Sequence, residues 1–247
     1  MVASNLLPPA HRHHQPTTTN RRRFEIIVKP VSSARGRGRL LIFDLDGTLI
    51  DSVGDLTTAV NRLRQDYHLP PLSTEVVRRY VGNGVRKLVE RALQGHPTDF
   101  ETALRAYRGY YEHHMSDTTA LFPDVATGLN KLRAAGYQLA VISNKPSAYC
   151  HALLARLGVA DLFVCILGDG DTPRLKPDPA PLLEAMHRAG ATAQEAWMIG
   201  DHHTDLEAAR HAGVRSVFVN YGLGETGAEK PDQRCANFAE VVAFFAP

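Results

Sequence analysis

At 247 residues, 44% hydrophobic and 22% charged, the chain has the composition of an ordinary globular protein with room for one sizeable core and a smaller second one. A formal net charge of +2 leaves no global footprint for nucleic-acid binding, and no stretch reaches the roughly 18 apolar residues of a spanning helix. The three cysteines, Cys150, Cys165 and Cys235, lack CxxC spacing, which fits buried, unreactive thiols in a reducing cytoplasm.

Much of the positive excess lies at the start, where Arg12, Arg21, Arg22, Arg23, Lys29, Arg35, Arg37 and Arg39 face the single acid Glu25. Residues 1–38 are rich in Pro, Thr, His, Arg and Gly without a sustained apolar period, and read as a disordered basic tail. A transit peptide is the rival reading, opposed by poor amphipathicity and by Pro8, Pro9 and Pro16. Nothing brings His11, His13 and His14 near the acidic residues that follow.

Residues 40–43 form an uninterrupted apolar run too short for a typical helix, as expected of a parallel strand buried on both faces. The run breaks into Asp44, Asp46, Gly47 and Thr48 within LLIFDLDGTLIDS. At the strand period of two, both carboxylates can face one side within roughly 7 Å. Their repulsion calls for a shared proton or a bridging cation, so an acid/base pair, a divalent metal site and a plain Asp-Gly turn are all open. An EF-hand fits poorly, because Leu49 stands where its loop needs glycine and a strand precedes the motif instead of a helix.

Helical periodicity follows over residues 56–68, 74–80, 85–93 and 100–115, with Ser73 as a candidate cap. Residues 53–119 are therefore expected to be an all-helical insertion. Within it Gly82-Asn83-Gly84 could turn backbone N–H groups toward an anion or merely join two helices. Asn83, Arg86 and Lys87 are candidates for substrate contacts, with a solvated helical face as the alternative for the two cations.

From residue 121 onward strands and helices alternate: a helix at 129–135, a strand at 139–142 ending in Ser143, Asn144, Lys145 and Pro146, and a helix at 147–157. A strand at 163–167, the loop with Lys176-Pro177-Asp178-Pro179 and a helix at 180–189 come next. A strand at 196–199 ending in Gly200-Asp201, a helix opened by Asp205, a strand at 216–219 and a helix at 238–245 complete the chain. This alternation predicts an α/β fold, a doubly wound parallel sheet formed by 39–52 and 120–247, with the helical insertion as a cap. Ligands bind beyond the carboxyl ends of such strands, where Asp44, Ser143, Lys176 and Asp201 converge. Carboxylates, a hydroxyl and an ammonium suit a phosphate substrate with Mg2+ held by Asp44, Asp46 and Asp201. Lys176, in a loop stiffened by two prolines, would neutralise charge in the transition state.

DLDGTLIDS, the strand ending in SNK, KPDP and GDHHTD, in this order, resemble the four motifs of the haloacid dehalogenase superfamily over about residues 40–222. The helical insertion resembles the superfamily's small-cap subclass. VGNGVRKLVERAL, LFPDV, SNKP and KPDPAPLL resemble phosphoglycolate phosphatases in particular. The resemblance implies a Mg2+-dependent phosphomonoester hydrolase with Asp44 as nucleophile, forming an aspartyl-phosphate, and Asp46 as general acid and then base. It further implies Mg2+ on Asp44, the Asp46 carbonyl and Asp201, with Asp205 orienting that shell or Lys176. Thr48, Ser143 and Asn144 would contact the phosphoryl group. His202 and His203 depart from the family pattern, which often has a small polar residue there; a hydrogen-bonding or exposed pair is expected, as for His113 and His114.

Asp46 argues against carbon-halogen hydrolysis, whose enzymes on this fold lack the second aspartate. Phosphoglycolate is the favoured substrate; sugar phosphates, pyrophosphate, nucleoside monophosphates and a phosphosugar mutase stay open. A catalytically silent binding protein would have lost one of Asp44, Asp46, Lys176 or Asp201, and all four are present. The expected partner is a small phosphorylated metabolite, with no nucleic acid and no membrane, for a cytoplasmic monomer or homodimer.

Overall fold

The computed structural model describes Met1 and residues 39–246, so the expected basic tail lies outside the described residues. In chain order come β1 (Leu40–Phe43), β2 (Ile50–Asp51), α1 (Val53–Asp66), α2 (Thr74–Arg78), α3 (Val85–Leu93), α4 (Phe100–His114) and β3 (Ala120–Leu121). They are followed by α5 (Val125–Ala134), β4 (Gln138–Pro146), α6 (Ser147–Arg156), β5 (Cys165–Asp169), α7 (Ala180–Ala189), β6 (Ala196–Gly200), α8 (His203–Ala212), β7 (Arg215–Val219), β8 (Gln233–Cys235) and α9 (Phe238–Phe245).

One six-stranded sheet has the order β5-β4-β1-β6-β7-β8, with every pairing parallel. β1 lies between β4 and β6, and none of its four side chains is exposed to solvent. Side chains alternate across a strand, so Leu41 and Phe43 join the apolar layer under α5, α6 and α9, while Leu40 and Ile42 join the layer under α7 and α8. An uninterrupted apolar run is the consequence of having a helical layer on both faces. Each such side chain stabilises the fold by about 1.5–3 kcal/mol through burial.

Between β2 and β3 the four helices α1–α4 build an apolar core of their own. Leu56, Val60 and Leu63 recur at helical spacing on α1, Leu88 and Val89 on α3, Leu104, Tyr107 and Tyr111 on α4, and Tyr149 from α6 completes the cluster. The insertion is joined to the sheet through the short antiparallel pair of β2 and β3, Ile50 opposite Leu121 and Asp51 opposite Ala120. Beside that pair the buried Asp55 carboxylate accepts from Thr118 N (2.9 Å), Thr118 Oγ1 (2.6 Å), Thr119 N (2.9 Å) and Thr119 Oγ1 (2.7 Å). One side chain in the first turn of α1 thus straps the way into the insertion to the way out.

Several expectations shift at their edges. β2, β3 and β8 escape pattern reading because two or three residues carry no period. β4 runs four residues past its expected end, through Ser143, Asn144 and Lys145 to Pro146, with its pairing to β5 shifting register between Ile142 and Pro146. Ser73 does occupy the N-cap of α2, but its side chain makes no capping hydrogen bond. Cys150, Cys165 and Cys235 are buried free thiols, and burial raises their pKa values to about 12, 11 and 11. Among the described residues no helix is long and apolar enough to cross a membrane.

Candidate active site

The loop after β1 is set by backbone bonding. Asp44 N–H continues the ladder onto Ile199 of β6 (2.9 Å), and the chain then turns so that Gly47 N–H reaches the Ile50 carbonyl (2.9 Å). This turn places both Asp44 and Asp46 on one pocket, although their carboxylates meet different neighbours.

Asp44 faces an acidic cluster. One oxygen each of Asp44, Asp201 and Asp205 lies within 4.8 Å of the others, and all three residues are buried. Asp201, directly after β6, accepts from Thr48 Oγ1 (2.8 Å) and from the N–H groups of Leu223 (2.8 Å) and Gly224 (3.1 Å). Asp205, in the first turn of α8, accepts from His202 N–H (3.0 Å) and from Lys176 Nζ (2.6 Å). The same ammonium lies 2.8 Å from Asp44 Oδ1 and donates to the Ile142 carbonyl (3.1 Å). The Lys176–Asp44 contact is an ion pair without hydrogen-bond alignment, since Asp44 Oδ1 has no hydrogen-bond donor.

Burial pushes Asp44 well above the ordinary carboxylate range; Lys176 opposes the shift, and Asp205 and Asp201 reinforce it. Asp201 is raised to about 6, first by burial and then by the Asp205 charge, against the bonds from Leu223, Thr48 and Gly224. Burial alone would depress Lys176, but Asp205 and Asp44 raise it, so it is an ammonium at neutral pH. Three buried carboxylates against one ammonium leave surplus negative charge. An all-oxygen donor set with an orphaned Asp44 Oδ1 therefore fits a hard divalent cation that keeps part of its water shell.

Asp46 faces the other way. Its carboxylate is ion-paired with Lys145 Nζ (2.7 and 3.0 Å to the two oxygens) and accepts a short hydrogen bond from Ser52 Oγ. The Lys145 ammonium also sits 4.8 Å from the centroid of the Tyr111 ring. Leu56, Val81, Val85, Leu88, Tyr107 and Tyr111 of the insertion close this side, leaving a cavity of about 50 Å3.

The structure brings together Asp44, Asp46, Ser143, Asn144 and Lys176 around the pocket. Thr48 is buried with its hydroxyl on Asp201. Expected on the phosphoryl group, Asn144 instead has its whole amide engaged by backbone: Nδ2 donates to the carbonyls of Lys176 (2.8 Å) and Gly82 (3.0 Å), and Oδ1 accepts from Lys176 N–H (2.9 Å). The cap candidates Asn83 and Arg86 do not line the pocket. Asn83 Oδ1 accepts from Arg91 (2.9 Å), and Arg86, whose side chain is 59% exposed, pairs with Glu101 (2.7 Å). A basic residue on an exposed helix looks the same in sequence whether it faces substrate or water.

Lys145 and Tyr111 escaped the sequence reading as site residues, although Lys145 stands in the polar break after the β4 apolar run. His202 caps α8, with Nδ1 accepting from Thr204 N–H (3.3 Å), and burial lowers its pKa to about 4, so it is neutral near pH 7. His113 is exposed and His114 pairs with Asp117, as expected of surface residues. Asp201 is also moulded by glycine: a Cβ at Gly47 or Gly222 would collide with its side chain, and Gly47 additionally needs φ 91°.

A family model described as haloacid dehalogenase-like hydrolase matches residues 41–219. Similar proteins include a phosphoglycolate phosphatase of Pseudomonas putida, 42% identical over 192 residues covering 74% of this chain and 70% of that one. Another, a phosphoglycolate phosphatase of Chromobacterium violaceum, is 36% identical over 209 residues, 82% of this chain and 94% of the relative. Among solved structures, that of a predicted phosphoglycolate phosphatase from Haemophilus somnus superposes with a TM-score of 0.79 at 31% identity, covering 85% of this chain and 99% of that chain.

Proposed function

Because the chain belongs to the haloacid dehalogenase-like hydrolases and is a phosphoric monoester hydrolase, we propose that it hydrolyses 2-phosphoglycolate through an aspartyl-phosphate on Asp44, with Mg2+. The observation that carries the mechanism is the division between the two carboxylates of β1's loop: Asp44 lies with Asp201, Asp205 and Lys176, while Asp46 lies with Lys145 and Ser52. Identity to relatives named phosphoglycolate phosphatases and the small cavity support the substrate.

Asp44 attacks phosphorus as a carboxylate and the bond from phosphorus to the ester oxygen breaks; the departing alkoxide takes a proton from Asp46, which must enter this step as the acid, the ionised pair with Lys145 being the form that serves the base step. Asp46, now a carboxylate, removes a proton from the water that cleaves the acyl phosphate, restoring both side chains. Lys176 balances charge on Asp44 and the phosphoryl oxygens from a position fixed by Asp205 and the Ile142 carbonyl. Asp44, Asp201 and the Asp46 carbonyl would hold Mg2+, with Asp205 bracing Lys176, and the ion would supply charge neutralisation at the phosphoryl group. Thr48 orients Asp201, and Ser143 at the end of the β4 apolar run contributes a hydroxyl to the phosphoryl side. The α1–α4 insertion, residues 53–119, acts as the cap over a catalytic core of 39–52 and 120–247. The buried free thiols support a cytoplasmic setting.

The test is kcat/KM with Mg2+ for 2-phosphoglycolate, pyrophosphate, a sugar monophosphate and a nucleoside monophosphate, with Asp44→Asn as control. 2-Phosphoglycolate is expected to rank first and Asp44→Asn to abolish turnover. A sugar phosphate ranking well above it would overturn the substrate, and turnover by Asp44→Asn would overturn the route.

A further inference from the structure

The pocket is lined by two groups, Lys145 and Tyr111, that the phosphoryl steps above do not place on the substrate. Lys145 and Lys176 are the cations among the residues lining it, and they differ in what they have left to offer. An ammonium has three N–H donors. Lys176 donates to Asp205 and the Ile142 carbonyl and is ion-paired with Asp44. Lys145 donates to one carboxylate, Asp46, and its other neighbour is Tyr111, whose ring centroid lies 4.8 Å away.

Tyr111 supplies the second observation. Its residue is 2% exposed, it lines the pocket, and its hydroxyl lies next to the Lys145 ammonium as its one polar neighbour, without the alignment of a full hydrogen bond. A buried hydroxyl without an aligned partner costs roughly 1–3 kcal/mol, a cost that a bound acceptor removes. The ring is held by stacking on Tyr107 (centroids 6.1 Å apart, 4° between planes) and by the edge contact with Tyr149 (5.4 Å). The donor is therefore fixed in place before anything binds.

We propose that Lys145 and Tyr111 together form the receptor for a carboxylate on the substrate, and so select phosphate esters that carry a second anion next to the ester oxygen. This rests on the phosphoglycolate reading. With phosphorus at Asp44 and the ester oxygen turned toward Asp46, a carboxylate two bonds beyond that oxygen falls on the side of Asp46 where Lys145 and Tyr111 stand. Leu56, Val81, Val85 and Leu88 wall the same side, and a dry wall strengthens a charge pair that water would weaken. An ester without the second anion gains nothing from either group and leaves the hydroxyl without an aligned partner. Lys145 is thus a specificity residue as well as the one that holds Asp46.

The experiment compares kcat/KM for 2-phosphoglycolate with that for ethyl phosphate, which has the same two-carbon length without the carboxylate, in the wild type, Tyr111→Phe and Lys145→Met. The wild-type ratio is expected to fall by about tenfold or more in each variant, the size of one hydrogen bond to a charged group, and in Tyr111→Phe the change is expected mainly in KM for 2-phosphoglycolate. Tyr111→Phe keeps the ring and its contacts, so it decides the matter even if Lys145→Met does not fold. A wild-type preference that survives in Tyr111→Phe, with both esters losing equally, would overturn the receptor while leaving the substrate in place. No preference in the wild type would instead overturn the substrate, and the receptor with it.

Discussion

The side chain of Asn144 pairs with the backbone of Lys176 as one strand residue pairs with another: Nδ2 donates to the Lys176 carbonyl at 2.8 Å and Oδ1 accepts from the Lys176 N–H at 2.9 Å. Nδ2 also reaches the Gly82 carbonyl of the insertion at 3.0 Å, so one amide ties the end of β4 to the loop that aims the ammonium and to the helices above it. Removing it strands a buried N–H at a cost of about 1–3 kcal/mol and frees the Lys176 loop. Asn144→Ala is expected to lower Tm by several degrees and to reduce kcat by more than it raises KM. Steady-state kinetics with a melting curve checks this; unchanged kcat would mean that the amide does not position Lys176.

Asp55 gives a second expectation. Its carboxylate is buried and accepts from both Thr118 and Thr119, and these bonds outweigh the opposing effect of burial, so its pKa is lowered. A lowered carboxyl contributes stability that is present above its ordinary pKa and lost as pH falls through the native value. Asp55→Ala is expected to lower the unfolding free energy by about 2–4 kcal/mol, since it leaves several donors without an acceptor. Urea titrations at pH 7 and pH 3 check both parts. The difference between wild type and variant should shrink at the acid end.

The acidic cluster predicts the opposite pH dependence for the metal-free protein. Asp201 is held at about 6 against an ordinary 3.8, so between those values the folded chain keeps a proton that the unfolded chain has released. Folding is then favoured by protons, and stability falls as pH rises through about 4 to 6, by up to about 3 kcal/mol, with Asp44 shifted in the same direction. A divalent cation held by the ionised carboxylates would reverse the trend. Melting temperatures from pH 4 to 7 should fall in chelator and be restored by excess Mg2+ at the upper end. Equal values with and without Mg2+ at pH 7 would rule out the ion at this cluster.

How much of this was legible depends on how far each feature reaches along the chain. β1, β4 and β6 each announce themselves as a short apolar run broken by polar residues, because burial on both faces excludes polar side chains until the strand reaches the open edge of the sheet. Asp44 and Asp201 follow from that rule, and the structure brings them together with Lys176 from the loop after β5. The hinge pair β2 and β3 is invisible because its two partners are separated by the whole insertion and contribute two residues each. Lys145 is not legible as a buried residue, because a lysine in a polar break has no local feature that sets it apart from a solvated one, whereas Asp46 and the Tyr111 ring hold it buried. Arg86 marks the opposite limit: it lies on the solvated face that its sequence left open beside a substrate contact, and its pairing with the exposed Glu101 fifteen residues away has no signature in local pattern.

The collision that any side chain at Gly222 would make with Asp201 carries a warning for comparing genomes. A duplicated copy of this gene with Gly222→Ala would retain every acid, lysine and hydroxyl of the four motifs while displacing the carboxylate they depend on. Counting motif residues would score that copy as an intact enzyme; the position that silences it has no functional group at all.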